Sequence, residues 1–246
     1  MDWFENEDFW RECYPAMFPP DRFAVADEQV DQVLTLARFG GRTVLDLCCG
    51  PGRHSCAFAQ RGCNVTGVDR SPFLLERARQ RAAEVGVEVE WVLEDMRRFR
   101  RPEAFDLACS MFTSFGYFTG EAEELQVLRN VAESLKAGGV FVIDVLSKER
   151  LARVYQSAMC TELSDGSSML QRPQVVDDWT RVRNEWTLFK DGHCRTFHFE
   201  HFVYSGRELK DRLLACGFES VKLFGDLAGA PYGIDAARLI AVARKA

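Results

Sequence analysis

The stretch VLDLCCGPGRHS, residues 44–55, decides the fold of this chain. An apolar strand that carries Asp46 runs directly into a turn that contains Gly50 and Gly52. Glycine tolerates a positive φ and has no Cβ, so the backbone of such a turn approaches a ligand closely and presents its N–H groups at the start of the next helix. The sequence therefore predicts a turn that holds a nucleotide-like ligand.

A second acid, Asp69, closes the strand in VTGVDRSP, residues 65–72. Its distance from Gly52 along the chain is that of one helix followed by a neighbouring parallel strand, which brings Asp69 to the same edge of the sheet as Asp46. A carboxylate in this place accepts hydrogen bonds from both hydroxyls of a ribose.

Strands and helices alternate through the rest of the chain. Apolar residues at helical spacing, Leu74, Leu75, Ala78 and Ala82, predict a helix after Asp69. The other predicted elements are strands at 87–96, 105–111 and 140–145, helices at 121–135 and 207–216, and two final antiparallel strands near 218–223 and 238–243. This order predicts an α/β fold with a doubly wound, Rossmann-like seven-stranded sheet, which binds its ligands outside the carboxyl ends of the strands.

These motifs resemble those of the class I S-adenosylmethionine-dependent methyltransferases, over residues 27–146 and more weakly over the last two strands. DLCCGPGRHS is similar to the first motif of that family, VTGVDRSP to the second, LEDMRRF to the third, and LKAGGVFVIDV to the strand beyond the active site. The resemblance implies S-adenosylmethionine as the cofactor and S-adenosylhomocysteine as the product. It implies that the first motif surrounds the methionine part, that Asp69 binds the ribose, and that Asp95 and Met96 lie beside the adenine. The cofactor-binding residues that we expect are Asp46, Gly50, Gly52, Arg53, Asp69, Arg70, Asp95, Met96 and Ser110.

Two other functions are compatible with the same turn. An NAD(P)-dependent Rossmann oxidoreductase is the nearest alternative, because Ser55 fills the third small position of the dinucleotide fingerprint. Such an enzyme leaves the acid of LEDM and the aromatic run SMFTSFGYF, residues 110–118, without a role. The other alternative is a non-catalytic S-adenosylmethionine-binding interaction protein. The role of Arg53 is open as well, between a salt bridge to the cofactor carboxylate and a solvated side chain.

Two regions lie outside the shared sheet and are expected to decide the acceptor. Residues 1–26 are rich in aromatic side chains and predict a helical lid, with Trp10, Tyr14 and Phe18 on one helix face. Residues 151–205 form an insertion between the two parts of the methyltransferase domain, 27–150 and 206–246. Alternating apolar residues around Asp191 and Gly192 predict a β-hairpin there. We interpret the insertion as an antiparallel β element that covers the mouth of the cleft and caps the substrate.

Methyl transfer from a sulfonium needs alignment more than proton removal, so a dedicated base is optional. The candidate catalytic or positioning residues are Tyr117, Tyr14, His198 and His201, of which Tyr117 is preferred because it follows the strand nearest the expected methyl group. The four histidines do not combine with acids at a convincing ligand spacing, so no metal site is expected. The predicted reaction is in-line transfer to N or O of a small-molecule acceptor.

Composition agrees with a cytoplasmic enzyme of small molecules. The net charge of −6 argues against a surface for nucleic acid, and the arginines of residues 97–101 are interpreted as a solvated face. Nine cysteines without a C-x-x-C pair, and no leader at the N-terminus, indicate free thiols in a reducing compartment. No segment has the roughly 20 apolar residues of a membrane span. Self-association as a homodimer is left open.

Overall fold

A computed structural model describes residues 2–246 and contains two β-sheets. The larger sheet has seven strands in the order β10-β11-β5-β4-β1-β2-β3. Its strands are parallel except β11, which pairs antiparallel with both β5 and β10. The predicted doubly wound α/β fold and the antiparallel pairing of the last two strands are confirmed.

The first half of the chain contains α1 (Glu7–Glu12), α2 (Tyr14–Met17), α3 (Pro20–Ala24), α4 (Ala26–Ala37), β1 (Thr43–Leu47), α5 (Arg53–Gln60), β2 (Asn64–Asp69), α6 (Pro72–Val85), β3 (Glu90–Leu93) and β4 (Phe105–Ser110). The second half contains α7 (Glu121–Ser134), β5 (Leu135–Val145), α8 (Lys148–Val154), β6 (Met159–Glu162), β7 (Ser168–Val176), β8 (Arg181–Lys190), β9 (His193–Phe202), α9 (Gly206–Ala215), β10 (Phe218–Phe224) and β11 (Leu239–Lys245). Within residues 2–246, no helix combines the length and the apolar character that crossing a bilayer requires.

Helix α6 shows how the sequence builds the layer that flanks the sheet. Ser71 caps its first turn by accepting the N–H of Leu74, and Pro72 occupies the first helical position, where its missing N–H costs nothing. Its apolar positions are buried as predicted, and Gly86 ends the helix in the left-handed conformation with φ of 70°. The helix therefore fixes the exit of β2, where Asp69 lies.

The four-stranded sheet of the insertion has the order β6-β7-β8-β9. The predicted hairpin is present as β8 and β9, and its turn residues Asp191 and Gly192 both have positive φ, as a type I′ turn requires. Phe197 and Phe199 face the protein interior, while His198 between them faces solvent. The sequence interpretation missed β6 and β7, whose polar residues and Pro173 obscure the strand pattern.

The N-terminal segment, residues 2–24, is called the lid below. It contains a 3₁₀ turn at Trp3–Glu5 and three short helices, so the prediction of one helix face shared by Trp10, Tyr14 and Phe18 is wrong in part. Helix α1 ends at Cys13, and Trp10 packs on Trp3 instead, whereas Tyr14 and Phe18 keep their contact at 5.2 Å between ring centroids. The helix is interrupted because Pro15 has no N–H with which to continue the hydrogen bonds of α1. A new helix, α2, begins at Tyr14 with Pro15 in its first turn.

The lid lies between the insertion and the large sheet. Phe9, which is 2% exposed, packs edge-on against Phe197 with 5.2 Å between ring centroids. Trp3 contacts Phe199 of β9 at 4.8 Å and Tyr117 of the large domain at 5.1 Å. The aromatic residues of the N-terminus thus join the two sheets.

Candidate active site

A cleft that is partly open to solvent lies at the carboxyl ends of the parallel strands. Three groups of residues line it. The lid contributes Trp3, Phe4, Trp10, Met17, Phe18 and Arg22, and the β1–α5 turn and the β2 and β3 ends contribute Asp46, Cys48, Cys49, Gly50, Pro51, Arg53, His54, Asp69, Arg70, Leu74, Glu94, Asp95 and Met96. The segment after β4 contributes Met111, Phe112, Thr113, Ser114, Tyr117 and Phe118.

Asp46 lies at the end of β1 and is 2% exposed. Its Oδ2 accepts a hydrogen bond from the Ser55 hydroxyl at 2.5 Å. Burial raises the pKa of the carboxyl to about 6, and the Ser55 hydrogen bond opposes that shift in part. The Cys109 thiol contacts Oδ1 at 3.9 Å. A carboxylate with these two partners keeps lone pairs for a cationic or N–H-bearing ligand.

Asp69 ends β2 and joins the turn to the next helix. Its Oδ2 accepts the N–H of Gly50 at 2.8 Å, and its Oδ1 accepts the N–H of Ser71 at 2.9 Å. Burial raises its pKa to about 6 against the effect of these two bonds. The carboxylate thereby fixes the turn at Gly50, which has φ of 56° and lies against the Phe18 ring of the lid.

Asp95 forms the far end of the same row of acids. It receives ion pairs from Arg97 at 2.7 Å and from Arg70 at 3.0 Å, and Arg70 also binds Glu5 of the lid at 2.7 Å. Burial acts to raise the pKa of Asp95, but the contacts with these two arginines lower it overall. Beside it, the Met96 and Cys48 sulfur atoms are 3.4 Å apart. The structure thus assembles Asp46, Asp69 and Asp95 along one rim, as the sequence predicts.

Arg53 and His54 begin α5 and are both buried. The Arg53 guanidinium donates to the carbonyl oxygen of Arg22 and to the side chain of Gln29, and it lies 4.0 Å from the centre of the Phe112 ring. The alternative of a solvated Arg53 is therefore wrong. Burial keeps the pKa of His54 well below its usual value, so this imidazole is neutral at pH 7.

The segment after β4 has a strained backbone next to the cleft. Phe112 and Thr113 have φ of 58° and 61°, values that L residues rarely adopt. Asp144 of β5 holds both, because its Oδ2 accepts the N–H of Phe112 and its carbonyl oxygen accepts the N–H of Thr113. Arg238 donates to Asp144 at 2.6 Å and to the Thr113 hydroxyl at 2.8 Å. The sequence interpretation missed Asp144 and Arg238, although an acid inside the apolar strand VFVIDV was a signal.

Tyr117 lies in the lining of the cleft between Trp3 and His201, at 5.1 and 5.2 Å between ring centroids. The Tyr117 hydroxyl forms no hydrogen bond with another group of residues 2–246. Burial raises its pKa to about 12. Ser110, at the end of β4, is 1% exposed, and its hydroxyl has no hydrogen-bond partner within the described chain.

The other three catalytic candidates lie outside the cleft lining. Tyr14 packs against Phe73, and His198 faces solvent on the outer side of the insertion sheet. His201 is buried behind Tyr117, where its Nδ1 is 3.3 Å from the Asn184 amide nitrogen and its Nε2 has no partner in residues 2–246. Burial lowers the pKa of His201 to about 4. The structure therefore brings Tyr117 to the cleft and keeps Tyr14 and His198 away from it.

The arginines of residues 97–101 are engaged by acids of the same chain. Arg97 binds Glu123 as well as Asp95, Arg100 binds Glu133, and Arg101 binds Glu90, each at 2.7 Å. These pairs account for three of the four charges that the sequence interpretation assigned to a solvated face. An anion site at this cluster would have to displace them.

Comparisons with known proteins agree with this geometry. Residues 44–139 match a family model described as a methyltransferase domain. The chain is 26% identical over 216 residues to the glycine/sarcosine N-methyltransferase of Aphanothece halophytica, a match that spans 87% of this chain and 80% of the relative. The fold is similar to the methyltransferase CcbJ of Streptomyces caelestis, with a TM-score of 0.77, 22% identity, and coverage of 89% and 90% of the two chains. An S-adenosylmethionine-dependent methyltransferase of Clostridium acetobutylicum gives the same TM-score at 17% identity, over 91% and 92% of the two chains.

Residues 44–139 are thus a methyltransferase domain, and the chain has the fold of the class I S-adenosylmethionine-dependent methyltransferases. The antiparallel strand β11, inserted between β5 and β10, also separates the sheet from the 3-2-1-4-5-6 order of the dinucleotide-binding oxidoreductases. The residues present fit the cofactor in kind, because Asp46, Asp69 and Asp95 are carboxylate acceptors in one cleft and the cofactor carries hydrogen-bond donors on its ammonium, ribose and adenine groups.

Proposed function

We propose that the protein transfers a methyl group to N or O of a small-molecule acceptor by in-line displacement. The observation that carries this proposal is the lid. Trp3, Trp10 and Phe18 line the same cleft as the row of acids, so the space left for an acceptor is walled by the chain itself. A cleft that is walled by aromatic side chains of the chain itself and also takes the cofactor suits a small metabolite as the acceptor.

The residues of the cleft bind and align, and S-adenosylmethionine supplies an electrophilic methyl group on its sulfonium when bound. Asp46 faces the methionine part, Asp69 accepts the ribose hydroxyls, and Arg53 pairs with the carboxylate. Phe112 and Tyr117, on the segment after β4, wall the side from which the acceptor approaches. Alignment of two bound reactants can supply about 7–11 kcal/mol of barrier reduction.

The protonation states of the residues in the cleft favour an amine as the acceptor. Tyr117, with its pKa raised to about 12, keeps its proton at pH 7 and acts as a hydrogen-bond donor that positions the acceptor. Neither Tyr14 nor His198 reaches the cleft. A neutral amine attacks unaided, whereas a hydroxyl needs proton removal. The relative from Aphanothece halophytica is named as an N-methyltransferase, which agrees with this choice.

We propose that the insertion, residues 151–205, caps the substrate indirectly. None of its residues lines the cleft, so it does not cover the mouth by direct contact. Instead the N–H of Phe202, at the end of β9, donates to the carbonyl oxygen of Gly116 at 2.6 Å, and Arg181 donates to the carbonyl oxygen of Phe118 at 3.0 Å. These bonds hold the segment that carries Tyr117.

We further propose a cytoplasmic location. All nine cysteines are unpaired in the structure of residues 2–246, and most of them are buried among apolar side chains. Thiols in that number persist in a reducing compartment.

The test has two steps. Calorimetry first measures S-adenosylhomocysteine binding to the wild type, to Asp69→Ala, and to the matched control Glu219→Ala, which removes an exposed acid of β10. We expect Asp69→Ala to lose about 1.5–3 kcal/mol of binding free energy, as for a hydrogen bond to a charged group. The control is expected to bind like the wild type.

The second step supplies S-adenosylmethionine with a deuterated methyl group and panels of small amines, small alcohols, RNA and protein. We expect label in small amines and S-adenosylhomocysteine in equal amount. Label confined to RNA or protein would overturn the proposal, as would cofactor binding that Asp69→Ala leaves unchanged.

A further inference from the structure

Three guanidinium groups surround the Phe112 ring in the cleft. They belong to Arg53, Arg238 and Arg22, at 4.0, 5.5 and 5.9 Å from the ring centre. Arg238 is paired with the buried carboxylate of Asp144. Within residues 2–246, neither Arg22 nor Arg53 has a carboxylate oxygen within 4.0 Å.

Neutral oxygens hold these two arginines in place. Arg22 donates one N–H to the carbonyl oxygen of Met17 at 2.9 Å, and Arg53 donates to the carbonyl oxygen of Arg22 at 2.8 Å and to Gln29 at 3.0 Å. Further N–H groups remain on each guanidinium, which has five. The side chains are therefore oriented, but their charges are not neutralised.

The nearby acids are committed elsewhere. Asp46 accepts from Ser55, and Asp144 accepts from Arg238 and the Phe112 N–H. Asp21 is exposed and accepts the backbone N–H of Arg22, not its guanidinium. Burial lowers the pKa of both arginines, to about 10 for Arg53. Repulsion from Arg22 lowers the pKa of Arg53 further, and repulsion from Arg238 lowers that of Arg22. Two like charges side by side in a cleft need an anion to offset them.

The cofactor brings one carboxylate and two positive charges, so it cannot neutralise both arginines. Arg53 begins the helix that follows the glycine turn, on the side of the methionine part. Arg22 comes from the lid, on the side of the aromatic acceptor space. We propose that Arg22 binds an anionic oxygen group of the acceptor, a carboxylate or a phosphate, while Arg53 takes the carboxylate of the cofactor.

This inference rests on the proposed function and narrows its acceptor. A molecule that carries both an amine and an anionic group would place the anion on the Arg22 fork and the amine beside Tyr117. Because Arg22 belongs to the lid, an acceptor without the anion would lack the charge-assisted bond to the segment that closes over it.

The experiment uses acetate and inorganic phosphate as probes, with acetamide as the neutral control. Each is titrated into protein saturated with S-adenosylhomocysteine, and Trp3 and Trp10 of the lid report binding by fluorescence. The variants are Arg22→Gln, Arg22→Lys, Arg53→Gln, and Arg129→Gln as the matched control, an exposed arginine of α7. Cofactor affinity is measured by calorimetry with S-adenosylhomocysteine and with its analogue that lacks the carboxylate.

We expect the wild type and Arg129→Gln to bind acetate or phosphate but not acetamide. Arg22→Gln is expected to weaken binding of the anion at least tenfold and to change the affinity for S-adenosylhomocysteine less than threefold. Arg22→Lys, which keeps the charge, is expected to retain part of the anion binding. Arg53→Gln is expected to weaken binding of S-adenosylhomocysteine at least tenfold. It is expected to leave binding of the carboxylate-free analogue almost unchanged.

Two results would overturn the inference. One is a cofactor-loaded wild type that does not respond to either anion. The other is an Arg22→Gln loss of cofactor affinity that equals that of Arg53→Gln and disappears with the carboxylate-free analogue, since both arginines would then hold the cofactor. Failure of S-adenosylhomocysteine to bind the wild type would instead contradict the proposed function itself.

Discussion

Asp46 and Asp69 are buried acids of the cleft, and the proposed function requires them to bind the cofactor as carboxylates. Burial raises the pKa of each to about 6, above the value near 4 of an unfolded chain. Such groups stabilise the ligand-free protein below about pH 4, and this contribution is lost as the pH rises through 6. Cofactor binding has the opposite dependence, because only the carboxylate accepts hydrogen bonds on all its lone pairs.

The affinity for S-adenosylhomocysteine should therefore fall as the pH drops below about 6. We expect the Kd to rise by up to about tenfold per pH unit between pH 6 and 5 for each acid that must lose its proton. Calorimetry between pH 7.5 and 5 measures this slope. Asp69→Asn should bind weakly and show a flatter slope, and a wild-type Kd that is constant over this range would contradict the role of both acids.

Tyr117 keeps its proton at neutral pH, because burial raises its pKa to about 12, and the proposed function therefore uses it as a hydrogen-bond donor. Tyr117→Phe should lower kcat/KM for the acceptor by about 10- to 100-fold, as for the loss of about 1–3 kcal/mol, and leave the Kd of the cofactor unchanged. The pH profile of kcat should keep its shape. Tyr14→Phe is the control, because Tyr14 lies outside the cleft lining. A profile that loses an ionisation between pH 6 and 9 in Tyr117→Phe would show that Tyr117 removes a proton.

The residues of the cofactor rim were predictable, and those of the acceptor side were not. Asp46 and Asp69 stand at fixed positions after apolar strands, so their place in the sheet follows from local pattern. Arg22 reaches the cleft from the lid, and Arg238 reaches the Phe112 ring from the loop before β11. Nothing in their local sequence shows that these distant segments meet at Phe112.

At the scale of elements, the β1–α5 turn depends on two properties of Gly52. Its φ is 75°, and a Cβ at this position would lie 2.7 Å from the Trp91 ring and 2.9 Å from the Ala78 side chain. Gly62 has a similar φ of 78°, with nothing within 4 Å of its Cβ position. A comparison of Gly52 with Gly62 therefore separates the cost of the backbone conformation from the cost of close packing of β3 and α6 against the turn.

Gly62→Ala should lower the free energy of unfolding by about 1–2 kcal/mol from the left-handed backbone alone. Gly52→Ala should lower it by about 1–3 kcal/mol more, because Trp91 or Ala78 must also move. Urea denaturation measures both values. Equal losses in the two variants would mean that the turn accommodates a side chain and that packing does not require glycine at position 52.

Elements with a regular local sequence pattern were predicted. Elements whose residues are determined by contacts with distant parts of the chain were not. The helix α6 and the hairpin of β8 and β9 have caps, turn residues and regular apolar spacing. Strand β7 has mixed polar positions and Pro173, although it pairs with β6 and β8 and packs on the lid through Met169. The lid helices are short and held by aromatic contacts that only the tertiary structure supplies.

At the scale of the whole molecule, the insertion, the lid and the large sheet are stacked in that order. Arg195 of β9 forms ion pairs with Asp8 and Glu12 on the outside of the lid, and Arg70 binds Glu5 on the inside. The lid also contributes Arg22 and its aromatic residues to the cleft. We therefore expect access to the cleft to depend on the contact between the lid and the insertion, which the sequence placed in separate regions.

Phe9 is the apolar centre of that contact, so Phe9→Ala should release the lid. Loss of a buried Phe typically costs about 3–5 kcal/mol, but here the loss is limited to the free energy that docks the lid on the rest of the fold. We expect faster amide exchange in residues 3–24, a red shift of Trp3 and Trp10 fluorescence, and a higher KM for the acceptor. Exchange in β1, β4 and β5 should stay slow.

Phe189→Ala, which removes a half-exposed ring of β8, is the control and should change neither signal. Exchange that accelerates equally in the lid and in the central strands would show instead that the lid and the sheet unfold as one cooperative unit.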